Sequence, residues 1–231
     1  MNTLTRAEIE KSEKGILTDF HGSKNLLVTF GGIQQGIGIP VFEFFNSVKD
    51  IDCDKIFIRD FNQTWYQKGV DKDIDTLDKL VNYLQETIAK HDYKRICFMG
   101  NSMGGYAAIL FGTLLNIDKV IAFAPQTFIG KWDRLFNNDR RWRKQMSRIY
   151  AFKGKRPEYF DLQKFLASRT SAKTPIELYF SPKHRLDNKH ALRLKNHERT
   201  TLFPINEGGH SVVKVVRDDG TLKRIIQEIF E

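Results

Sequence analysis

Residues 100–105 read Gly-Asn-Ser-Met-Gly-Gly, and Gly100, Ser102 and Gly104 within them form a GxSxG pattern. An apolar run, Arg95–Met99, leads directly into the pattern, and a longer one, Met103–Leu115, leads directly out. A serine on such a strand-to-helix turn holds its hydroxyl above a sheet, where it can attack a carbonyl carbon. Glycines two positions either side let the strand and helix backbones approach closely. The helix start offers N–H groups without partners and the positive end of a dipole. An oxyanion forming beside the serine would be stabilised there, with Met103 supplying one N–H. The alternative is a glycine-rich turn around a serine that only caps a helix. The pattern alone does not separate the two, because ordinary glycine and serine frequencies produce it in about one chain in ten of this length. The flanking strand and helix favour the nucleophile.

Such a turn requires a sheet with helices packed on it. Asn25–Phe30 reads as a buried strand closed by Gly31-Gly32, and the glycine-rich loop GGIQQGIGIP follows. Residues 41–48 suggest a helix. Lys55–Arg59 is a second strand. Asp73–His91 places Ile74, Leu77, Leu80, Val81, Leu84 and Ile88 on one helical face, with Asp71 or Asp73 as its cap. Arg95–Met99 is a third strand, Met103–Leu115 a helix apolar nearly all round, and Val120–Phe123 a fourth strand. Residues 126–174 break the pattern. Strands at Ile176–Phe180 and Thr201–Ile205 follow, with a short helix at Ala191–Leu194 between them and a terminal helix at Leu222–Phe230. The segment before Gly22 allows a short helix or an edge strand. Strands that alternate with helices and are apolar on both faces imply a mainly parallel sheet covered on both sides. The expected organisation is one α/β domain over residues 1–231, with a basic, aromatic lid inserted at about 126–174.

Composition removes other classes. The two cysteines, Cys53 and Cys97, belong to no metal-binding or disulfide pattern, and Cys97 reads as a buried hydrophobe. No cofactor and no metal is expected. No window is apolar enough to span a membrane, and the charged start lacks a signal-peptide core, so a cytoplasmic setting is expected. The net charge of +9 is local: residues 131–173 hold 13 Lys/Arg against 4 Asp/Glu, leaving 24 of each sign elsewhere. A neutral remainder argues against nucleic acid as the partner and asks for a local cause.

The stretch MGNSMGG, between RICF and YAAILFG, resembles the nucleophile elbow of the α/β-hydrolase superfamily. The resemblance covers the chain from Asn25 onward except for the insertion. It implies an order of serine, acid, histidine along the chain. His210 follows the last strand in NEGGHSV and would be the base. The other histidines, His91, His184, His190 and His197, lie in polar stretches expected to be exposed, and His21 has no evident partner. Asp187, in SPKHRLDNKHA after the fifth strand, would be the acid that orients the base, with a helix cap as its plainer role and Glu207 as the competing acid. The loop after the first strand would give the second oxyanion donor, Gly32 or else Ile33. Phe30 stands where many relatives carry histidine, which leaves a backbone donor intact.

The implied activity is hydrolysis of a carboxylic ester or thioester through an acyl-serine. The alternatives are acyl transfer with the same triad, or a non-catalytic anion- or nucleic-acid-binding module on this fold. Within the insertion, Trp132, Arg140, Arg141 and Arg143 are the expected contacts to an anionic small-molecule, glycan or carrier-linked substrate. The plainer reading is an amphipathic lid with aromatics inward and charges in water. AFAPQT, DNKHA and GGHSVVKVVRDDG are similar to small bacterial hydrolases found among surface-glycan synthesis proteins.

Overall fold

The computed structural model describes residues 12–33 and 42–230. The start of the chain and residues 34–41 of the glycine-rich loop lie outside them. Seven strands form one sheet: β1 (Ile16–Asp19), β2 (Asn25–Phe30), β3 (Asp54–Ile58), β4 (Arg95–Asn101), β5 (Lys119–Phe123), β6 (Ile176–Phe180) and β7 (Thr200–Pro204). Their spatial order is β1-β3-β2-β4-β5-β6-β7. Only β1 is antiparallel to its neighbour. The segment before Gly22 therefore contributes an edge strand. The helices are α1 (Phe45–Val48), α2 (Leu77–Ala89), α3 (Met103–Leu115), α4 (Lys131–Phe136), α5 (Arg143–Ala151), α6 (Leu162–Ser168), α7 (Arg185–Leu192), α8 (Val212–Asp218) and α9 (Thr221–Phe230).

The central strands are buried on both faces because their alternate residues feed two cores. Leu26, Val28 and Phe30 of β2 pack with Phe98, α2 and α3 on one side. Leu27 packs with Cys97, Met99 and the C-terminal helices on the other. Each such side chain contributes roughly 1.5–3 kcal/mol by leaving water. Helix α3 is buried from Met103 to Thr113, which explains its lack of a polar face. Its start presses on the strand ends. A Cβ on Gly100 would lie 2.1 Å from the Gly104 carbonyl oxygen, and one on Gly104 would lie 2.0 Å from that of Phe30. Glycine at these two positions is what allows the turn around Ser102 to close against the sheet.

Two helix starts differ from expectation. Thr76, not Asp71 or Asp73, caps α2 by accepting from the Lys79 N–H at 3.2 Å. Asp71 instead accepts from the N–H groups of Asp73 and Ile74, closing the turn before the helix. Helix α7 begins at Arg185, earlier than the apolar pattern indicated, because the His184 ring nitrogen serves as its cap and accepts from the Asp187 N–H at 3.2 Å. Asp187 is therefore inside the helix rather than before it.

The insertion is fastened at its base. Phe128 bridges to Asp161, and Leu162 donates to the Thr127 carbonyl at 2.8 Å. Ile129, Met146, Ile149, Phe165 and Leu166 join the main core. The aromatic residues do not all turn inward: Trp132 and Phe136 are 71% and 80% exposed.

Candidate active site

Ser102 sits between β4 and α3 with φ 55° and ψ −114°, a region that side chains with a Cβ rarely occupy. Its N–H is held by the Phe123 carbonyl of β5 at 2.8 Å. The strain is supported by the two glycines and by this bond, and it turns the hydroxyl out of the sheet edge. The residue remains only 5% exposed.

His210 lies on a short 3-10 turn, Gly209–Ser211, that follows β7 and Gly208 at φ 76°. Its Nε2 is 3.0 Å from Ser102 Oγ, and its Nδ1 is 2.8 Å from Asp187 Oδ2. The structure thus brings Ser102, His210 and Asp187 together in one hydrogen-bonded chain. Glu207 is exposed, and the carboxylate that meets the His210 ring is that of Asp187.

A side-chain relay supplies a donor to the serine oxygen at the head of that chain. The Trp65 indole can only donate, and it donates to Gln126 Oε1 at 3.0 Å. The Gln126 amide nitrogen must then face the other way, and it donates to Ser102 Oγ at 2.8 Å. The Asp187 carboxylate can only accept, so His210 carries its proton on Nδ1 toward Asp187 and its Nε2 accepts from the serine hydroxyl, which in turn accepts from Gln126. Trp65 is set by the loop after β3. Buried Asp60 accepts there from the N–H groups of Asn62, Thr64 and Tyr66 at 2.8, 2.6 and 3.0 Å. These bonds hold Gln63, Trp65 and Tyr66 at positive φ. Burial pushes the Asp60 carboxyl up to about 6 despite those donors.

Burial alone would raise the Asp187 carboxyl. The hydrogen bond from His210, with the nearby charges of His210, His184 and Arg141, outweighs burial and holds it below the usual range. Arg141 donates through Nη1 to Asp187 Oδ1 at 3.3 Å and pairs with buried Asp139 at 2.8 Å. Arg141, an expected substrate contact, is thus engaged by two carboxylates, Asp187 and Asp139. The expectation for His190 is corrected. It is fully buried, its Nδ1 accepts from the Thr127 N–H at 3.0 Å, and its Nε2 is 3.3 Å from Asp139. Burial brings its pKa down to about 4, so it is neutral. His21, for which no partner was evident, lies 3.2 Å from Asp52.

The expected oxyanion donors differ in state. Met103 is the first residue of α3, so its N–H has no carbonyl one turn behind it. The Gly32 N–H is engaged: it donates to Glu43 Oε2 at 2.7 Å, while Asn101 Nδ2 donates to Glu43 Oε1 at 2.9 Å. Burial raises the Glu43 pKa, against the bonds from Asn101 and Gly32 and the charge of His210. A cavity of about 250 Å³ joins Gly32, Glu43, Ser102, Trp142 and His210. The Trp142 indole N–H is buried without a hydrogen-bond partner among the described residues. Trp132, Arg140 and Arg143 do not line this cavity.

His184, Asp187 and His210 place ligand atoms within 4.8 Å of one another. A cation there would take His210 Nδ1 and leave the proton on Nε2, facing the serine. Metal binding and a base at His210 are therefore mutually exclusive.

No protein-family model matches the sequence, and comparison with curated proteins finds no match. Solved structures do match. The capsule O-acetyltransferase of Neisseria meningitidis serogroup A superposes with a TM-score of 0.69 at 17% identity, covering 96% of this chain and 99% of that one. A lipase-esterase related protein from Clostridium acetobutylicum gives 0.56 at 16% identity, over 94% and 100%. Acetyl xylan esterase 1 from Thermoanaerobacterium gives 0.54 at 14% identity, over 82% and 71%. At these identities the likeness is one of fold, and the fold is of the α/β-hydrolase type.

Proposed function

We propose that this α/β-hydrolase-type chain is an ester-acting enzyme that works through an acyl-serine. The observation that carries the proposal is the hydrogen-bonded series Ser102–His210–Asp187. Ser102 Oγ attacks the acyl carbonyl as its proton passes to His210 Nε2, and Asp187 stabilises the resulting imidazolium. The Met103 N–H, and the Gly32 N–H once Glu43 withdraws, receive the oxyanion. The imidazolium then protonates the departing alcohol or thiol. In the second half, His210 takes a proton from the incoming hydroxyl, that oxygen bonds to the acyl carbon, and Ser102 recovers its proton. The incoming group is water in a hydrolase and a second alcohol in a transferase. The leading reading is hydrolysis of a carboxylic ester or thioester.

Acyl transfer is the second reading, favoured by the likeness to the capsule O-acetyltransferase over nearly the whole of both chains. That enzyme has also been solved in complex with CoA, as a variant with one histidine replaced by alanine. The unpartnered Trp142 N–H would donate to a substrate oxygen. Covalent labelling by a fluorophosphonate tests the nucleophile: wild-type protein should label at Ser102, and labelling at another residue would refute the proposal. Nitrophenyl esters of graded length, run beside acetyl-CoA with and without a glycan acceptor, separate hydrolysis from transfer.

Two further expectations concern residues around the serine. Gln126→Ala removes the donor that fixes the hydroxyl. A neutral hydrogen bond contributes about 1 kcal/mol, so kcat should fall by roughly tenfold or somewhat less. Gln126→Glu should lose more, since a carboxylate cannot donate and opposes the developing negative charge. Steady-state kinetics on a short ester checks the ranking. Glu43→Ala should act in the opposite direction. A carbonyl oxygen must displace a carboxylate from the Gly32 N–H, and a charge-assisted bond contributes about 1.5–3 kcal/mol. Its removal should raise kcat/KM for a neutral short ester by roughly tenfold or more. A fall in kcat/KM would mean that Glu43 holds the loop rather than blocks the donor.

A further inference from the structure

Helix α4 carries Trp132, Leu135 and Phe136, spaced i, i+3 and i+4, so all three share one face. That face is not packed on the protein. The three side chains are 71%, 65% and 80% exposed, and they are three of the five large exposed hydrophobic residues among those described. Scattered exposed hydrophobics are ordinary, but a contiguous stripe is not. The neighbouring residues are cationic. Lys131, Arg140 and Arg143 are exposed, and none has a carboxylate within ion-pair distance among the described residues. Lys131, Arg140 and Arg143 also line a cavity of about 760 Å³ beside the stripe. This cavity is distinct from the one at Ser102.

We propose that this face docks on an anionic lipid surface, with Trp132, Leu135 and Phe136 inserted at the headgroup boundary and the three cations set against lipid phosphates. Two properties of the patch select this occupant. Large apolar side chains held out in water beside unpaired Lys and Arg match the two components of interfacial binding, apolar insertion and attraction to anionic headgroups. A second copy of the chain fits poorly, because a two-fold contact would set the same uncompensated cations against each other. Nucleic acid could stack on Trp132 and Phe136 but offers nothing apolar to Leu135. The local excess of +9 over residues 131–173 thereby gains a cause outside the catalytic cavity. The patch is also tied to the site, since Arg140 and Arg143 flank Arg141 and Trp142, which touch Asp187 and line the Ser102 cavity. Docking would place the cavity near acyl groups or acceptors held at a lipid surface. The proposal does not depend on the acyl-serine reading.

Co-sedimentation with vesicles tests it, using phosphatidylcholine alone and phosphatidylcholine mixed with phosphatidylglycerol. The full-length protein should bind the mixed vesicles, bind the neutral ones far less, and release as salt rises. Lys131→Gln/Arg140→Gln/Arg143→Gln should weaken binding on the order of 100-fold, given the usual contribution of each basic residue near an anionic surface. Trp132→Ala/Leu135→Ala/Phe136→Ala should weaken it by about tenfold or more. Both variants should melt like wild type and keep their activity on a soluble short ester, because all six side chains are exposed and none lines the Ser102 cavity. Loss with the charge variant but full binding by the apolar variant would reduce the patch to unspecific adsorption and overturn the proposal. A concentration-dependent dimer abolished by the apolar variant, without vesicle binding, would assign the face to a second copy and overturn it as well. Binding to single-stranded RNA with no vesicle binding would do the same.

Discussion

Ser102→Ala is expected to lower kcat by about 10⁴–10⁶ while leaving the fold in place, the range seen when one member of a triad is removed. The argument rests on geometry. Ser102 Oγ lies both 3.0 Å from His210 Nε2 and 2.8 Å from the Gln126 amide nitrogen, and no backbone group can replace it there. Alanine keeps the Cβ, so the positive φ and the bond from the Ser102 N–H to Phe123 can persist. The variant should therefore melt within a few degrees of wild type. A residual rate above the uncatalysed one should remain, because the Met103 N–H is a backbone group and stays. Retention of near-wild-type turnover on a short ester, with the protein folded, would dispose of the serine mechanism.

Asp187→Asn should cost about 10⁴ in kcat, far more than Glu207→Gln, which should change little. An asparagine cannot act as the anionic acceptor of the His210 Nδ1–H at 2.8 Å, and its amide would favour the tautomer with Nε2 protonated. That tautomer cannot accept the serine proton. The low carboxyl pKa of Asp187 keeps it charged throughout the neutral range, so its contribution is lost only as pH falls through that depressed value. Arg141 remains held by Asp139 in the variant, which limits the structural damage. Comparing kcat with the melting temperature separates misplacement of the imidazole from loss of folding. The reverse ranking of Asp187→Asn and Glu207→Gln would transfer the role to Glu207.

Legibility followed the sequence distance over which each feature is built. The turn around Ser102 was readable because its strand, glycines, serine and helix occupy one unbroken stretch, Arg95–Leu115, and each uses local preference alone. The sheet was readable because strands apolar on both faces have few other ways to be buried. The places of His210 and Asp187 came from strand order and the superfamily resemblance, and the structure brings both side chains to Ser102. Helix starts were less legible. The cap of α7 is a histidine ring nitrogen, outside the usual set of capping residues.

What the sequence by itself determined, then, is a parallel α/β sheet with a strained serine at the end of its central strand. Only the tertiary structure decided how that serine is surrounded. Trp65 and Gln126, which set the hydroxyl, are 61 positions apart. Glu43, which accepts from the Gly32 donor, and Asn101, which holds its other oxygen, are 58 apart. Polar stretches read as exposed because charge ordinarily stays in water. His190 and Asp139 depart from that rule, because they pair with each other and the half-buried Arg141 supplies the charge that makes the burial of Asp139 tolerable. The opposite departure, aromatic Trp132 and Phe136 left in water, also has no local signal, since an i, i+4 stripe looks the same whether a core or solvent lies beside it.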